Sequence, residues 1–145
     1  MTTIYNPRIA DLDITMGEYS EHMVLQTIKT FTNDDTWKNT KELYGDKYCK
    51  WDFENADGRK AENKGRRIAS TAWKTTILPH HKVTANTKEG DLFTFSFTDG
   101  VMYIEYKKEL FDSFATKLMN VVRAGKYDQP NNPHFEIPIS LLKRF

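Results

Sequence analysis

A single mixed domain of the α+β kind, within the broad α/β class, is what the sequence predicts. Three stretches predict it. Val24, Leu25, Ile28 and Phe31 recur at helical spacing. Two runs of alternating character flank Ala56-Asp57-Gly58, which argues two strands joined by a short hairpin loop. Phe93, Phe95 and Phe97 alternate with small polar residues before Asp99-Gly100, and Val101, Tyr103 and Glu105 alternate after it. The chain has 145 residues, enough for one domain with a real core. Hydrophobic residues make up 39% and aromatics 13%, a composition that argues against disorder.

Taken in order, residues 1–16 have no clear period and read as an irregular N-terminal arm, with a turn at Asn6-Pro7. Gly17 to Phe31 reads as the helix. Thr36 to Leu43 reads as a first strand, and Tyr44-Gly45-Asp46 turns into the central hairpin. Gly65-Arg66-Arg67 ends the second hairpin strand, and Ile68 to Leu78 is extended or turn-linked. Pro79 is placed to open a helix through Thr87 or Lys88, closed by Gly90. Leu92 to Tyr106 is the second hairpin, turning at Asp99-Gly100. Glu109 to Phe114 reads as a short helix and Leu118 to Val122 as a strand. A polar loop follows through Asn131-Asn132-Pro133. Phe135 to Ile139 is a short strand, which Pro138 assigns to an edge. Ser140 can cap a final turn over Leu141–Phe145.

The central hairpin carries the chemistry. Centred on Asp57, it sets Asn55 opposite Arg59, Asp52 opposite Glu62 and Lys50 opposite Lys64. Cross-strand partners share a face, and so do residues two apart. One face then carries Lys50, Asp52, Glu54, Lys60, Glu62, Lys64 and Arg66. The other carries Cys49, Trp51, Phe53 and Ala61 and reads as core. Directly opposed carboxylates destabilise a purely structural hairpin. A solvated face with lysines neutralising the acids resolves that conflict, and on pattern alone it is the preferred reading. A divalent cation bound between the acids resolves it too. Glu21 lies on the apolar stripe of the first helix, where an acid needs a partner; Glu18, one turn earlier, shares much the same face.

Asp52 followed by Glu62-Asn63-Lys64 on the next strand resembles the Asp…Glu-X-Lys signature of the PD-(D/E)XK nuclease superfamily. The helix glutamate in Glu21-x-x-Val24-x-x-x-Ile28 extends the resemblance, as do Phe95–Tyr106 and Phe135–Arg144, which are similar to small nuclease-like proteins of phages and large viruses. Trp51 stands where that family's motif has proline. Asn63 fills a position that is more often apolar, and it points to the core side, where it needs hydrogen-bond partners. The resemblance implies a restriction-endonuclease-like mixed central sheet with an αβββαβ core, flanked by helices. It implies a metal-dependent DNA endonuclease in which Glu21, Asp52, Glu62 and Lys64 are catalytic. Asp52 and Glu62 would be direct ligands of Mg²⁺ (or Mn²⁺), Glu21 would hold a metal-bound water or a second ion, and the Asn63 carbonyl would be a further ligand. Arg66 and Arg67, with Lys50 and Lys74 behind them, would contact phosphates of DNA. A non-catalytic DNA-binding or virion-assembly protein on the same scaffold is the alternative, and homodimerisation is left open.

Composition sets bounds around this reading. Net charge is +1, so no global basic field marks a nucleic-acid partner, yet residues 59–74 hold six Lys or Arg against one Glu. The single cysteine, Cys49, excludes a disulfide framework and a cysteine-rich zinc site. No leader or membrane-length apolar run is seen, and a cytoplasmic protein is expected (the host's cytoplasm, if phage-encoded). His80 and His81 are adjacent without the spacing of a helical metal site, and His22 and His134 are isolated. The 92–106 hairpin could also serve an interaction protein as an exposed edge.

Overall fold

A computed structural model describes residues 9–45, 51–121 and 129–145. It is a mixed α+β structure with two sheets. The first helix, α1, runs Ile9–Thr32, so residues 9–16 are helical rather than part of an irregular arm. Residues 1–8 lie outside the described part. Val24 and Ile28 of α1 are fully buried, as their spacing predicts. No helix of the described residues is long and apolar enough to cross a membrane.

The expected strand over 36–43 is mostly a helix. Strand β1 is only Lys38–Asn39, and α2 follows at Thr40–Tyr44. The Asn39 side chain caps α2 by accepting from the Lys41 N–H at 2.8 Å. Gly45, at φ 64°, ends it and donates its N–H to the Lys41 carbonyl.

The central hairpin forms in the expected register. Strand β2 (Phe53–Glu54) pairs antiparallel with β3 (Lys60–Gly65), with Phe53 opposite Ala61 and Glu54 opposite Lys60. Gly58 takes φ 80°, the left-handed conformation the last loop residue requires. Asn55 ties the loop, its Oδ1 accepting from the N–H groups of Asp57 (3.1 Å) and Arg59 (2.8 Å). The first strand is shorter than the alternation suggests, because residues 51 and 52 bend. Trp51 therefore does not join Phe53 and Ala61 in the core. It is half-buried, its indole Nε1 donates to Glu54, and the Lys60 ammonium lies 5.3 Å from its ring centre. Cys49 lies outside the described residues.

Strand β4 (Thr75–Pro79) leads into a single 3₁₀ turn, His80–Lys82, where a longer helix was expected. Strands β5 (Leu92–Phe97) and β6 (Gly100–Glu105) form the second hairpin. Phe97 pairs with Gly100, so the two loop residues are Thr98 and Asp99, one position earlier than Asp99-Gly100. Helix α3 is Lys108–Asp112 and β7 is Ala115–Val121. Strand β8 spans Gln129–Pro138 and absorbs the expected polar loop. A 3₁₀ turn, Ile139–Leu141, contains Ser140, and β9 (Lys143–Arg144) replaces the expected final turn.

The larger sheet has the order β1-β2-β3-β5-β6-β9. It is mixed: β3 and β5 are parallel, and the other pairs are antiparallel. The 92–106 hairpin is held between β3 and β9, with β9 covering the outer edge of β6 only at Met102 and Tyr103. The smaller sheet has the order β4-β8-β7. Pro138 is thus in a central strand, but it is the last residue of β8, opposite Thr75.

Each face of the larger sheet buries its own core. Val24 and Ile28 of α1 pack with Trp37, Phe53, Ala61, Leu92 and Tyr103. On the other face Phe93, Phe95, Met102 and Ile104 meet Leu78 and Ile137 from the smaller sheet. The Phe93-Phe95-Phe97 alternation is therefore core. Burying a large apolar side chain contributes roughly 1.5–3 kcal/mol, so this stack dominates the fold's energetics.

At the far end of the second hairpin, the Asp99 carboxylate accepts from the Ser70 hydroxyl (2.6 Å), the Ser70 N–H (2.8 Å) and Arg144 (3.0 Å). These bonds, the Ser70 hydroxyl foremost, hold the Asp99 carboxyl down to about 2. A depressed carboxylate stabilises the fold above its unfolded value and loses that contribution as pH falls. Thermal unfolding is expected to show acid destabilisation between about pH 4 and pH 2 that Asp99→Asn flattens. An unchanged pH profile in the variant would rule the bond network out as its cause.

Candidate active site

Strand β3 presents alternate residues to opposite sides. Ala61 and Asn63 face α1, while Glu62 and Lys64 sit beside Phe93 and Phe95 in the parallel ladder. Glu62 is buried, 7% exposed, and its Oε2 accepts from Lys64 Nζ at 3.2 Å. A second ammonium, Lys82 from the 3₁₀ turn, reaches the same oxygen at 3.1 Å. Two cations on one oxygen of this buried carboxylate offset the cost of burying its charge.

Asp52 lies on the neighbouring chain segment, at the bend before β2. Its Oδ2 accepts from the Asn63 N–H at 2.8 Å. Burial pushes the Asp52 carboxyl up, and the negative charge of Glu62 adds to this, with Glu21 contributing further; the result is about 7. The Asn63 N–H and Lys64 oppose the shift without cancelling it. Burial likewise lowers the Lys64 ammonium, with Lys82 reinforcing the effect and Glu62 opposing it.

The structure thus brings Glu21, Asp52, Glu62 and Lys64 into one electrostatic cluster, with Lys82 added. Glu21 sits at its edge and pairs with Lys41 of α2 at 3.7 Å. Glu18 lies in α1, and its side chain is outside the described part. Asn63 finds the partners its inward position requires: its Oδ1 accepts from Thr94 Oγ1 (2.8 Å) and Ser96 Oγ (3.0 Å).

The expected phosphate contacts divide. Arg66 is spent inside the protein: it donates to Thr76 Oγ1 at 3.1 Å and to the Ile77 carbonyl, and its guanidinium lies 5.5 Å from the Phe95 ring centre. Arg67 and Lys74 are exposed on the loop after β3, beside Trp73, which is 69% exposed. Lys50 lies outside the described residues. His80 packs its ring against Phe135, centroids 4.2 Å apart, and His134 is buried with Nδ1 2.9 Å from the Asn132 carbonyl.

Lys82 is the residue that sequence reasoning missed. No spacing rule links position 82 to position 62, because the contact is made by the fold of the segment between them.

The donor chemistry of the pair fits a hard divalent cation. Mg²⁺ takes one or two protein carboxylates and keeps several waters, and Asp52 and Glu62 supply two oxygen-donor groups on adjacent segments. Among the described residues, no group of three or more His, Cys, Asp or Glu is gathered for a metal. Comparison of the chain with protein-family models, curated proteins and solved structures finds no match.

Proposed function

We propose that the protein is a divalent-cation-dependent nuclease that hydrolyses phosphodiester bonds of DNA, built on a restriction-endonuclease-like core. The observation that carries this reading is the meeting of buried Glu62 with half-buried Asp52 and Lys64. Two neighbouring acids with one pushed up to about 7 are an electrostatic cost to the fold, and such costs concentrate at functional sites.

The roles follow from the geometry. Asp52 and Glu62 would hold Mg²⁺ or Mn²⁺, which supplies an activated water and offsets charge on the phosphate. Asp52 must lose its proton to serve as a ligand. Glu62 must be released from one of its two lysines. The released ammonium, Lys64 or Lys82, then stands beside the place where negative charge develops on the phosphate. Lys64, held beside Glu62, is suited to orient the attacking water and to offset charge on the phosphate. Glu21, at the rim, would hold a water of the ion's outer shell. Arg67 and Lys74 on the exposed loop would position the strand without reading its sequence.

A second reading is a DNA-binding or assembly protein that kept the scaffold without catalysis. The double ion pair on Glu62 favours it, since two ammonium groups already offset that charge without a metal. One assay separates the two. Duplex, single-stranded and branched DNA are incubated with the protein and Mg²⁺ or Mn²⁺, and the melting temperature is followed in parallel. The nuclease reading expects cleavage that chelation stops, and a metal-dependent rise in stability of about 2.7 kcal/mol at a hundredfold excess over Kd. Binding of DNA without cleavage of any form and without metal stabilisation would establish the scaffold reading instead.

A further inference from the structure

The loop between β3 and β4, residues 66–74, holds an indole out in solvent. The chain has three tryptophans. Trp37 is buried and the Trp51 ring has the Lys60 ammonium 5.3 Å from its centre, whereas Trp73 is 69% exposed. We propose that this loop is a platform for an unpaired stretch of DNA, with one base stacked on the open face of Trp73. The platform's role rests on the nuclease reading, and it narrows that site's substrate to DNA with a single-stranded element.

Three observations carry it. The loop is fastened along its length. The Arg66 N–H donates to the Ser96 carbonyl at 2.8 Å, and the Thr98 N–H donates to the Ile68 carbonyl at 3.0 Å. Asp99 accepts from the N–H and the hydroxyl of Ser70, and Arg144 donates to Ser70 Oγ at 3.0 Å. The Ala72 N–H closes a turn onto the Ala69 carbonyl at 3.0 Å, and the Ile139 N–H holds the Lys74 carbonyl at 2.9 Å. Trp73 stands between these last two anchors. Its backbone is ordered before a partner arrives, so little freedom is lost on binding.

Charge is the second observation. Residues 63–88 hold six Lys or Arg and no Asp or Glu, although the chain has 20 acids. Arg67 and Lys74 are exposed on the loop itself. Asp99, which ties the loop at Ser70, is offset by Arg144 at 3.0 Å. Among the described residues, the Lys74 ammonium and the Trp73 indole N–H have no hydrogen-bond or ion-pair partner. The chain neighbours exposed with Trp73 are Thr71, Ala72 and Lys74, not large apolar side chains. Such a surface suits a charged strand better than an apolar protein face.

Position is the third. Strand β3 leads from Glu62 directly into the loop, and the three steps from Glu62 to Gly65 advance about 10 Å. A strand with one phosphate at the acid pair can therefore lay a nearby nucleotide on the platform. An open aromatic face beside cations is the combination that holds single strands, and stacking on it tolerates any base. A duplex keeps its base faces inside the stack and gains only the phosphate contacts.

The test is a binding measurement in EDTA, so it needs neither a cation nor turnover. Fluorescence anisotropy compares a labelled oligothymidylate with a blunt duplex of equal length. The single strand is expected to bind at least about tenfold more tightly. Trp73→Ala should weaken the single strand by about tenfold and the duplex by less than about threefold, and Trp73→Phe should stay within about threefold of wild type. Lys74→Ala should weaken both forms alike and reduce the salt slope by about one. Equal wild-type affinity for the two forms, or binding of neither, overturns the platform whether or not the variants fold. Wild-type single-strand affinity in Trp73→Ala overturns it too. A concentration-dependent dimer that Trp73→Ala dissociates, without single-strand binding, overturns it in favour of a second copy of the chain. Metal-dependent cleavage of duplex and single strand at equal rates, unchanged by Trp73→Ala, overturns the platform and leaves the nuclease reading standing. Single-strand binding that needs Trp73, without cleavage of any DNA, supports the platform and removes the nuclease reading.

Discussion

Asp52→Asn is expected to abolish cation-dependent cleavage, by about 100-fold or more, while raising the melting temperature of the metal-free protein at pH 8. The two effects share one cause. The carboxyl is shifted from 3.8 to about 7 by burial and by neighbouring acids. At about 1.4 kcal/mol per unit, ionising it in the fold costs at most about 4 kcal/mol. Asparagine keeps an oxygen to accept the Asn63 N–H, now 2.8 Å from Asp52 Oδ2, and carries no charge. It therefore removes the cost without opening a cavity.

The sign is set by the direction of the shift. A carboxyl raised in the fold makes the native state hold a proton that the unfolded chain has released. Stability then falls as pH rises from about 4 to about 7, and the deficit is complete above that window. The gain from Asp52→Asn should be largest at pH 8 and vanish near pH 4. Added Mg²⁺ should stabilise the wild type and leave the variant unmoved. A variant that cleaves at the wild-type rate, or melts lower than wild type at pH 8, would remove Asp52 from the role given to it.

Phe111→Ala is expected to destabilise the fold by about 3–5 kcal/mol, the range for emptying a packed aromatic site. Phe111 is 1% exposed. Its ring centre lies 5.6 Å from Phe93, 4.9 Å from Tyr106, 5.2 Å from Phe114 and 5.4 Å from Phe135. Phe93 belongs to the larger sheet and Phe135 to the smaller, so the ring on the short helix α3 bonds the two layers. Typical domains are stable by about 5–15 kcal/mol, so this one substitution can take most of the margin. Denaturant unfolding with a fixed slope measures the change. A loss below about 1 kcal/mol would mean the layers are joined elsewhere.

Some of this architecture was legible because local chemistry and global fold agree. The hairpin register could be counted from Gly58, which the loop needs for its positive φ, and the alternation around it fixed which residues face which way. The Val24-Ile28 stripe and the three phenylalanines of β5 behaved likewise. The acid pair was legible for the same reason, since it hangs on that register.

Other elements were hidden by conflicting signals. Trp37 suggested a strand, against the lysines and weak alternation near it, while Asn39 with Glu42 three residues later carried the helix-start signal that the fold obeys. Three prolines disguised β8. Strand β4 pairs only with residues 134–138, so Pro130 and Pro133 lie where β8 has a single neighbour and a missing N–H is tolerated. Arg66 was assigned to phosphate on charge alone, and only the approach of β4 turns it inward. Lys82 was invisible because its contact is purely tertiary.

The pairing of β3 with β5 has a kinetic consequence. The hairpin that carries Asp52 and Glu62 is local and can close early, but its parallel neighbour begins only at Leu92, after an intervening strand has gone to the other sheet. Non-local parallel contacts form slowly because the loop between them must be ordered first. A chain still emerging from the ribosome therefore carries both acids without the wall that buries them. The burial that pushes the Asp52 carboxyl up therefore arrives only once β5 has docked on β3.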